Sequence, residues 1–410
     1  MTADPYCEAR MKNQKQIKPV HPFPARMAPE LAIRALRRLP EGSRVLDPMA
    51  GSGTVLRHAA ALGHTAIGRD LDPLAVLMTR VWNTPFDADK LQRRLRMIRK
   101  RADELPSVID LPWIDGDAET SAFVDYWFAE QQQEPLRRIA FVLSDLARSK
   151  RTRDAELDIL RIAMSRIIVT KDQGASLARD TSHSRPHRVA LESNYDVWAG
   201  FERSVRRVQG ILEQSPPQGG VEIATGDARD LDLKNSSVDL VLTSPPYLNA
   251  IDYMRGHRMS LVWLGHSLGS LRTIRSTSIG AERKPDAGST ASLFDDIKDD
   301  MCAGADLAAR HAAMVARYAE DVYRMMSEVS RVLKSKGRAV LVVGNSCLKG
   351  TFIKNSAGVA RAGKMVGLKL VREVERDLPD QSRYLPMPSQ SHAPLGGRMR
   401  TESILTFARA

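Results

Sequence analysis

Hydrophobic and polar positions follow two different periods along this chain, and the order of those periods predicts a parallel sheet. Glu30 to Leu39 has the spacing of a short amphipathic helix. Ser43-Arg-Val-Leu-Asp47 reads as a strand, Gly51-Ser-Gly53 interrupts it, and Thr54 to Leu62 returns to helical spacing. His64-Thr-Ala-Ile-Gly-Arg-Asp70 reads as a second strand, and Pro73 opens another helix. Strand, glycine turn, helix, strand is a βαβ unit, which implies parallel pairing. Upstream, Pro5, Pro19, Pro22, Pro24 and Pro29 give residues 1–30 a turn-rich, extended character.

The pattern changes over 85–215. Glycine is sparse there until Gly174, and helical spacing covers 88–104, 117–131, 134–148, 152–168 and 195–213. Strand signals resume at Val221-Glu-Ile-Ala-Thr225 and Val238-Asp-Leu-Val-Leu-Thr243. Residues 276–300 have loop composition, Ala305 to Leu333 is a long helix, and Arg338-Ala-Val-Leu-Val-Val-Gly344 is a buried strand. Leu368 to Val374 and Ser403 to Phe407 are the remaining strands. The expected architecture is α/β, with a mostly parallel central sheet and a large helical insertion. Its parts are a first segment of the sheet domain (1–84), the insertion (85–215) and a second segment (216–410).

Composition narrows the function classes. The chain has 410 residues, 43% hydrophobic and 27% charged, which suits a folded domain with a real core. No apolar run approaches the ~18 residues of a membrane span, and the first residues lack the apolar stretch of a secretory signal. Cys7, Cys302 and Cys347 lie far apart, so neither a disulfide scaffold nor a cysteine-rich zinc site is expected. A reducing, cytoplasmic location is the natural expectation. Lys and Arg number 61 against 49 Asp and Glu, a net charge of +12. Such an excess suits a phosphate-bearing partner, though basic proteins without one are common.

Two constellations carry chemistry. In Asp47-Pro48-Met49-Ala50-Gly51-Ser52-Gly53-Thr54, small residues after a strand let a ligand approach the backbone, and the following helix N-terminus can meet a polar group. Asp70 and Asp72 end the next strand, where a βαβ site holds ribose hydroxyls. Loop and acid together suggest an adenosine-type cofactor. Asp227, after the Val221 strand, is either an acceptor for an adenine amino group or a plain helix cap. The second constellation is Thr243-Ser244-Pro245-Pro246-Tyr247. Two prolines stiffen the turn and remove two donors, which leaves carbonyls and the Ser244 hydroxyl as acceptors beside an aromatic face. That set suits an exocyclic amino group on a base, stacked on Tyr247. Taken alone, Ser-Pro-Pro-Tyr is more often a rigid turn with a packed tyrosine.

Together these motifs resemble those of the S-adenosylmethionine-dependent DNA amino-methyltransferases. DPMAGSGT is similar to their DPFxGSGT motif and TSPPY to their catalytic (D/N/S)PP(Y/F) motif. His21-Pro22-Phe23-Pro24-Ala25-Arg26 and Asp70-Leu71-Asp72-Pro73-Leu74-Ala75 match two further family segments. The resemblance covers about 18–84 and 218–408. It implies a Rossmann-like methyltransferase fold, S-adenosyl-L-methionine as cofactor and DNA as partner, and it leaves room for a cognate restriction endonuclease. It implies that Ser244, Pro245, Pro246 and Tyr247 form the catalytic set. The cofactor set it implies is His21, Asp47, Pro48, Gly51, Ser52, Gly53, Thr54, Asp70 and Asp227. In the family the Ser-Pro-Pro form goes mostly with cytosine N4 and the Asp-Pro-Pro form with adenine N6, so cytosine N4 is the expected target. Adenine N6 is the nearest alternative, an RNA amino group the next. The chain departs from the family at Met49, where Phe is usual, and in placing 85–215 where no target-recognition domain is customary. A catalytically dead nucleic-acid binder would show damaged motifs, and a dehydrogenase would leave TSPPY unexplained.

Weaker signals remain. Arg93, Arg94, Arg96, Arg99, Lys100 and Arg101 alternate with apolar residues as a basic amphipathic helix, either a solvated face or a DNA-backbone contact. Lys171 to Arg188 reads as a loop facing substrate or simply the surface. His183 and His187 lack partners at metal-ligand spacing, so no metal is expected. Asp252, Tyr253, Arg255, Arg383-Tyr384-Leu385-Pro386 and Arg398-Met-Arg400 are candidate pocket-lining residues.

Overall fold

The central sheet takes its order from where the chain reverses. A computed structural model describes residues 17–23, 26–149, 154–179, 186–248, 253–281, 294–305, 307–348, 351–378 and 401–409. From the N-terminus come α1 (Pro29–Leu36), β1 (Arg44–Asp47), α2 (Thr54–Ala61), β2 (Thr65–Asp70) and α3 (Pro73–Asn83). The insertion follows as α4 (Ala88–Asp103), α5 (Pro112–Asp115), α6 (Ala118–Trp127), α7 (Glu130–Ser149), α8 (Ala155–Ile168), a small hairpin β3 (Ala178–Arg179) and β4 (His187–Arg188), and α9 (Val197–Gln214). The chain re-enters the sheet with β5 (Val221–Thr225) and β6 (Val238–Thr243). Then come α10 (Tyr253–Leu261), a 3-10 turn (Val262–Leu264), α11 (Leu268–Thr277), α12 (Asp295–Cys302) and α13 (Ala309–Val332). The last elements are β7 (Leu333–Gly344), β8 (Ser346–Leu348), β9 (Thr351–Ile353), α14 (Asn355–Met365), β10 (Leu368–Asp377) and β11 (Thr401–Arg409).

The strands lie in the order β5-β2-β1-β6-β7-β11-β10. β5, β2, β1, β6 and β7 are parallel, and β11 runs antiparallel to both its neighbours. This is the expected Rossmann-like α/β fold with a mostly parallel sheet. The chain leaves β1 through β2 and β5, then returns to the other side of β1 as β6. Loops diverge at that reversal, and the crevice they open at the strands' C-terminal ends is where ligands bind in open α/β sheets.

Each strand feeds both faces because successive side chains alternate. Val45, Leu240 and Leu242 join one core with α1 and α2, while Leu46 and Val241 join the other with α13 and α14. Burying each such side chain contributes about 1.5–3 kcal/mol. The insertion packs around a large core that it shares with α3, with Leu91, Leu136, Ile162 and Phe201 fully buried. Met254, Met259, Leu261, Trp263 and Leu268 belong to the same cluster. The helices that follow the Pro-Pro segment therefore complete the insertion's core. Phe128 meets Trp263 edge-on at 5.0 Å, and Trp113 donates from Nε1 to the Val262 carbonyl at 2.7 Å.

The expected helices form with one regrouping. Instead of 117–131 and 134–148, one helix stops at Trp127 and the next starts at Glu130, carrying Pro135 in its second turn. Aspartates set the helix starts: Asp72, Asp87, Asp117, Asp154 and Asp196 each accept an N–H of the first turn. Part of the expected 276–300 loop is helical, since α11 reaches Thr277 and α12 begins at Asp295; 282–293 lies outside the described residues.

Candidate active site

The two motifs emerge side by side because β1 and β6 are neighbours at the reversal. Val45 and Leu46 pair with Leu240 and Val241, so Asp47 and Thr243 arrive together at the sheet's C-terminal edge. There the Thr243 hydroxyl donates to Asp47 Oδ1 at 2.7 Å, and Thr243 is fully buried. The glycine loop then turns sharply. Gly51 and Gly53 have φ of +50° and +80°, and a Cβ on Gly53 would stand 2.7 Å from Thr79 Oγ1. Pro48 is buried, and the buried Ser52 and Thr54 hydroxyls bond each other at 3.1 Å.

Three carboxylates gather at this edge. Asp47 accepts from Thr243 and from the Met49 N–H at 3.2 Å. Asp70 accepts from the Gly51 N–H at 2.7 Å and from the Asp72 N–H at 2.9 Å, so the loop is tied to the end of β2. Burial pushes Asp47 up to about 7 and Asp70 up to about 6, and in each the hydrogen bonds only partly offset it. For Asp72 burial also opposes ionisation, but His257 and the backbone donors outweigh it and hold the carboxyl below its ordinary value.

These shifts give a signed prediction. Between the ordinary carboxyl value of 3.8 and about 7, folded Asp47 binds more protons than unfolded Asp47, so its contribution to stability is lost as pH rises through that window. Asp47→Asn keeps an oxygen for Thr243 and Met49 and removes the charge. Its melting temperature is expected to exceed that of the parent at pH 8, with the gap closing toward pH 5. A pH-independent difference in calorimetry would contradict this.

The catalytic candidates are held as acceptors. Ser244 donates its hydroxyl to the Val342 carbonyl on β7 at 3.1 Å, which leaves the oxygen lone pairs for another donor. The Pro246 carbonyl accepts from the buried Tyr318 hydroxyl at 3.1 Å. Among the described residues the Pro245 carbonyl has no hydrogen-bond partner. Burial, with the nearby Glu402 carboxylate, pushes the Tyr247 hydroxyl up to about 12, so it stays neutral.

The N-terminal segment reaches the site through Phe23, which the expected cofactor set does not include. His21 is buried against α8, with Nε2 2.9 Å from the Ser165 hydroxyl and Nδ1 2.7 Å from the Pro22 carbonyl. Two residues on, the Phe23 ring covers the glycine loop, 3.2 Å from where a Gly51 Cβ would be. Phe23 stacks on Tyr253 at 5.3 Å and lies 5.5 Å from the His257 ring. His257 Nδ1 bonds Asp72 Oδ2. Only an aromatic two residues after a Pro-flanked histidine hinted at Phe23; nothing local marked His257. Asp227 lies beyond β5 and accepts with both oxygens from Arg229, at 2.7 Å to one guanidinium nitrogen and 2.9 Å to the backbone N–H. Burial opposes its ionisation, yet Arg229 keeps the carboxyl below its ordinary value.

The basic helix α4 is largely neutralised, by two acids far along the chain and by two at its own C-terminal end. Arg94 pairs with Asp154 at 2.8 Å, Arg101 with Asp145 at 2.7 Å, Arg99 with Asp103 at 3.2 Å and Lys100 with Glu104 at 3.8 Å. Arg93 and Arg96 are exposed, with no ion pair among the described residues. Arg94→Gln strips the nearly buried Asp154 of a guanidinium partner at 2.8 Å. It is expected to lower stability by about 1–3 kcal/mol in urea denaturation, while Arg93→Gln is neutral within ~0.5 kcal/mol. Equal effects would show that the Arg94 pair is only a surface contact.

Of the weaker candidates, Ala178–Arg179 and His187–Arg188 form the β3–β4 hairpin, with Arg188 stacked 4.7 Å over Tyr126. Arg255 is exposed on α10. His183, Asp252, Arg383-Tyr384-Leu385-Pro386 and Arg398-Met-Arg400 lie outside the described residues. Among the described residues no helix is long and apolar enough to cross a membrane, and no three His, Cys, Asp or Glu side chains gather as a metal site.

With this geometry in view, comparison with known proteins points the same way. The chain is 25% identical over 281 residues to the Type II methyltransferase M.MvaI of Kocuria varians, a match covering 60% of this chain and 56% of that protein. It is 32% identical over 82 residues to the Type II methyltransferase M.MjaII of Methanocaldococcus jannaschii, covering 20% of this chain and 16% of that one. The matches thus span about half or less of these curated relatives. No protein-family model matches the chain. A TehB-like SAM-dependent methyltransferase from Corynebacterium glutamicum superposes with a TM-score of 0.30 at 9% identity, covering 92% of this chain and 88% of that one, too loose a likeness to bear on function.

Proposed function

We propose that the chain transfers a methyl group from S-adenosylmethionine to an exocyclic amino nitrogen of a base in DNA, with N4 of cytosine as the target. The observation that carries this reading is the Thr243–Asp47 hydrogen bond, which sets the end of the Ser-Pro-Pro-Tyr strand against the glycine loop at the sheet's reversal. The similarity to two Type II methyltransferases supports the class.

The residues present fit that cofactor. Asp47 and Asp70 are buried acids whose ionisation is disfavoured, so a positively charged ligand relieves them, and a sulfonium compound is one. Each Asp70 oxygen receives one backbone N–H, and a carboxylate has about four acceptor sites, so ribose hydroxyls find acceptors there. Three Arg229 N–H groups occupy Asp227, which leaves about one of its four acceptor sites for an adenine amino group. Phe23 covers the loop at Gly51, and His21 anchors its segment to α8. When bound, the cofactor supplies an electrophilic methyl group.

The chain's part is to position the acceptor nitrogen. Conjugation makes a base amino group a poor nucleophile. The Ser244 oxygen and the Pro245 carbonyl accept its two N–H groups and favour a pyramidal nitrogen whose lone pair faces the methyl group. Orientation of this kind can supply ~7–11 kcal/mol of the barrier. No covalent enzyme–base bond is needed. Tyr247 offers a stacking face to the target. If the target lies in duplex DNA it leaves the stack at a cost of a few kcal/mol, which the basic surface, Arg93 and Arg96 included, offsets through phosphate contacts. Incubating the protein with tritiated S-adenosylmethionine and unmodified duplex DNA tests the reading: label should enter DNA, and label entering only RNA, or neither, would contradict it. A restriction endonuclease of matching specificity and a cytoplasmic location accord with this proposal.

A further inference from the structure

We propose that His257 is a positioning residue for the methyl transfer proposed above, linking the helix after the Ser-Pro-Pro-Tyr segment to the acid assigned to the cofactor ribose. The inference rests on that reading of the site and deepens it. The link is a continuous set of hydrogen bonds. His257 Nδ1 bonds Asp72 Oδ2, the Asp72 N–H donates to Asp70 Oδ1 at 2.9 Å, and the Gly51 N–H donates to Asp70 Oδ2 at 2.7 Å. One path thus joins α10, the end of β2 and the glycine loop.

The direction of the first bond follows from chemistry. An ionised carboxylate only accepts, and Asp72 is held ionised, so Nδ1 carries the proton. Asp72 needs no histidine to cap α3, since Oδ1 already accepts the Leu74 N–H at 2.8 Å. Burying a carboxylate and an imidazole together is costly, and an apolar pair of like volume often serves stability better. Yet His257 is 4% exposed and Asp72 9%. The pair's place explains it better than stability does. Asp72 is two residues from Asp70, and α10 begins six residues after Tyr247. The Phe23 ring packs against His257 and Tyr253 and also covers Gly51, so a shift of α10 is felt at the loop. Among the described residues His257 Nε2 is buried without a hydrogen-bond partner, so Asp72 is the only one of them that fixes the ring by hydrogen bonding.

The test uses the full chain, S-adenosylmethionine and unmodified genomic DNA. His257→Asn places an amide N–H where Nδ1–H stands, and His257→Leu fills the space without a donor. Losing a hydrogen bond to a charged acceptor is expected to raise the cofactor Kd of His257→Leu about 10-fold or more, with the circular dichroism unchanged. It should also raise the cofactor KM more than it lowers kcat. His257→Asn should bind within about threefold of the parent, since the charged acceptor keeps a donor. Parent-like binding by both variants, or Asn no better than Leu, overturns the proposal. Should the Leu variant not fold, Asn decides alone, and weakened binding by a folded Asn variant overturns it. An unaltered chain that binds no S-adenosylmethionine overturns the functional reading itself and this inference with it, an outcome that the variants cannot mimic.

Discussion

Ser244→Ala is expected to lower kcat by about 100-fold, the scale seen when one preorganised hydrogen-bonding group is lost from a catalytic site. The cofactor Kd should change less than twofold. The reason is directional. Ser244 spends its proton on the Val342 carbonyl, so its oxygen can act only as an acceptor toward the site. Alanine removes that acceptor and leaves the side-chain hydrogen bond from Thr243 to Asp47 intact. A group that touches the base and not the cofactor should show its loss in turnover. If kcat were unchanged, or if cofactor affinity fell with it, the serine would be a structural element of the turn.

Gly53→Ala is the second large effect, and it acts on the fold of the loop. Gly53 caps α2 with φ of +80°, a conformation that costs an L-residue roughly 1–2 kcal/mol. The new methyl would also meet Thr79 Oγ1 at 2.7 Å and Thr79 Cγ2 at 2.9 Å, on a buried helix that cannot easily retreat. Overpacking of this kind adds about 1–3 kcal/mol. A total loss of about 2–4 kcal/mol in urea denaturation is expected, together with weakened cofactor binding. Gly51→Ala should cost less, because the atoms it meets belong to a single ring, Phe23, at 3.2 Å. Equal stability of the Gly53 variant and its parent would contradict the geometry of the loop.

Much of this was legible in the sequence, for a physical reason. The strands of the parallel sheet are buried on both faces and read as short apolar runs between turns. The two motifs sit at strand ends, so their approach follows from the sheet order. What the sequence hid depends on distant partners. The cations of α4 look free until Asp145 and Asp154 fold back upon them from 44 and 60 residues away. Helix α14 carries Gly358 and Gly363, which weaken its pattern; Met301 and Phe407 press against those glycines so closely that a Cβ would stand 2.6 and 2.5 Å away. Helix α10 is short and polar in composition, yet its buried face completes the core of an insertion that ends about 40 residues earlier in the chain. Phe23 and His257 flank the glycine loop only because that packing brings α10 to the N-terminal segment.

The most direct measurement of the central claim is nucleoside mass spectrometry of DNA from a host that lacks the modification, expressing either the chain or its Ser244→Ala variant. The account predicts N4-methylcytosine with the parent and at most a trace with the variant. N6-methyladenine alone would keep the reaction and change the base, whereas 5-methylcytosine alone, or no modified base while S-adenosylmethionine binds, would contradict the assignment of the Ser244 segment to an amino nitrogen.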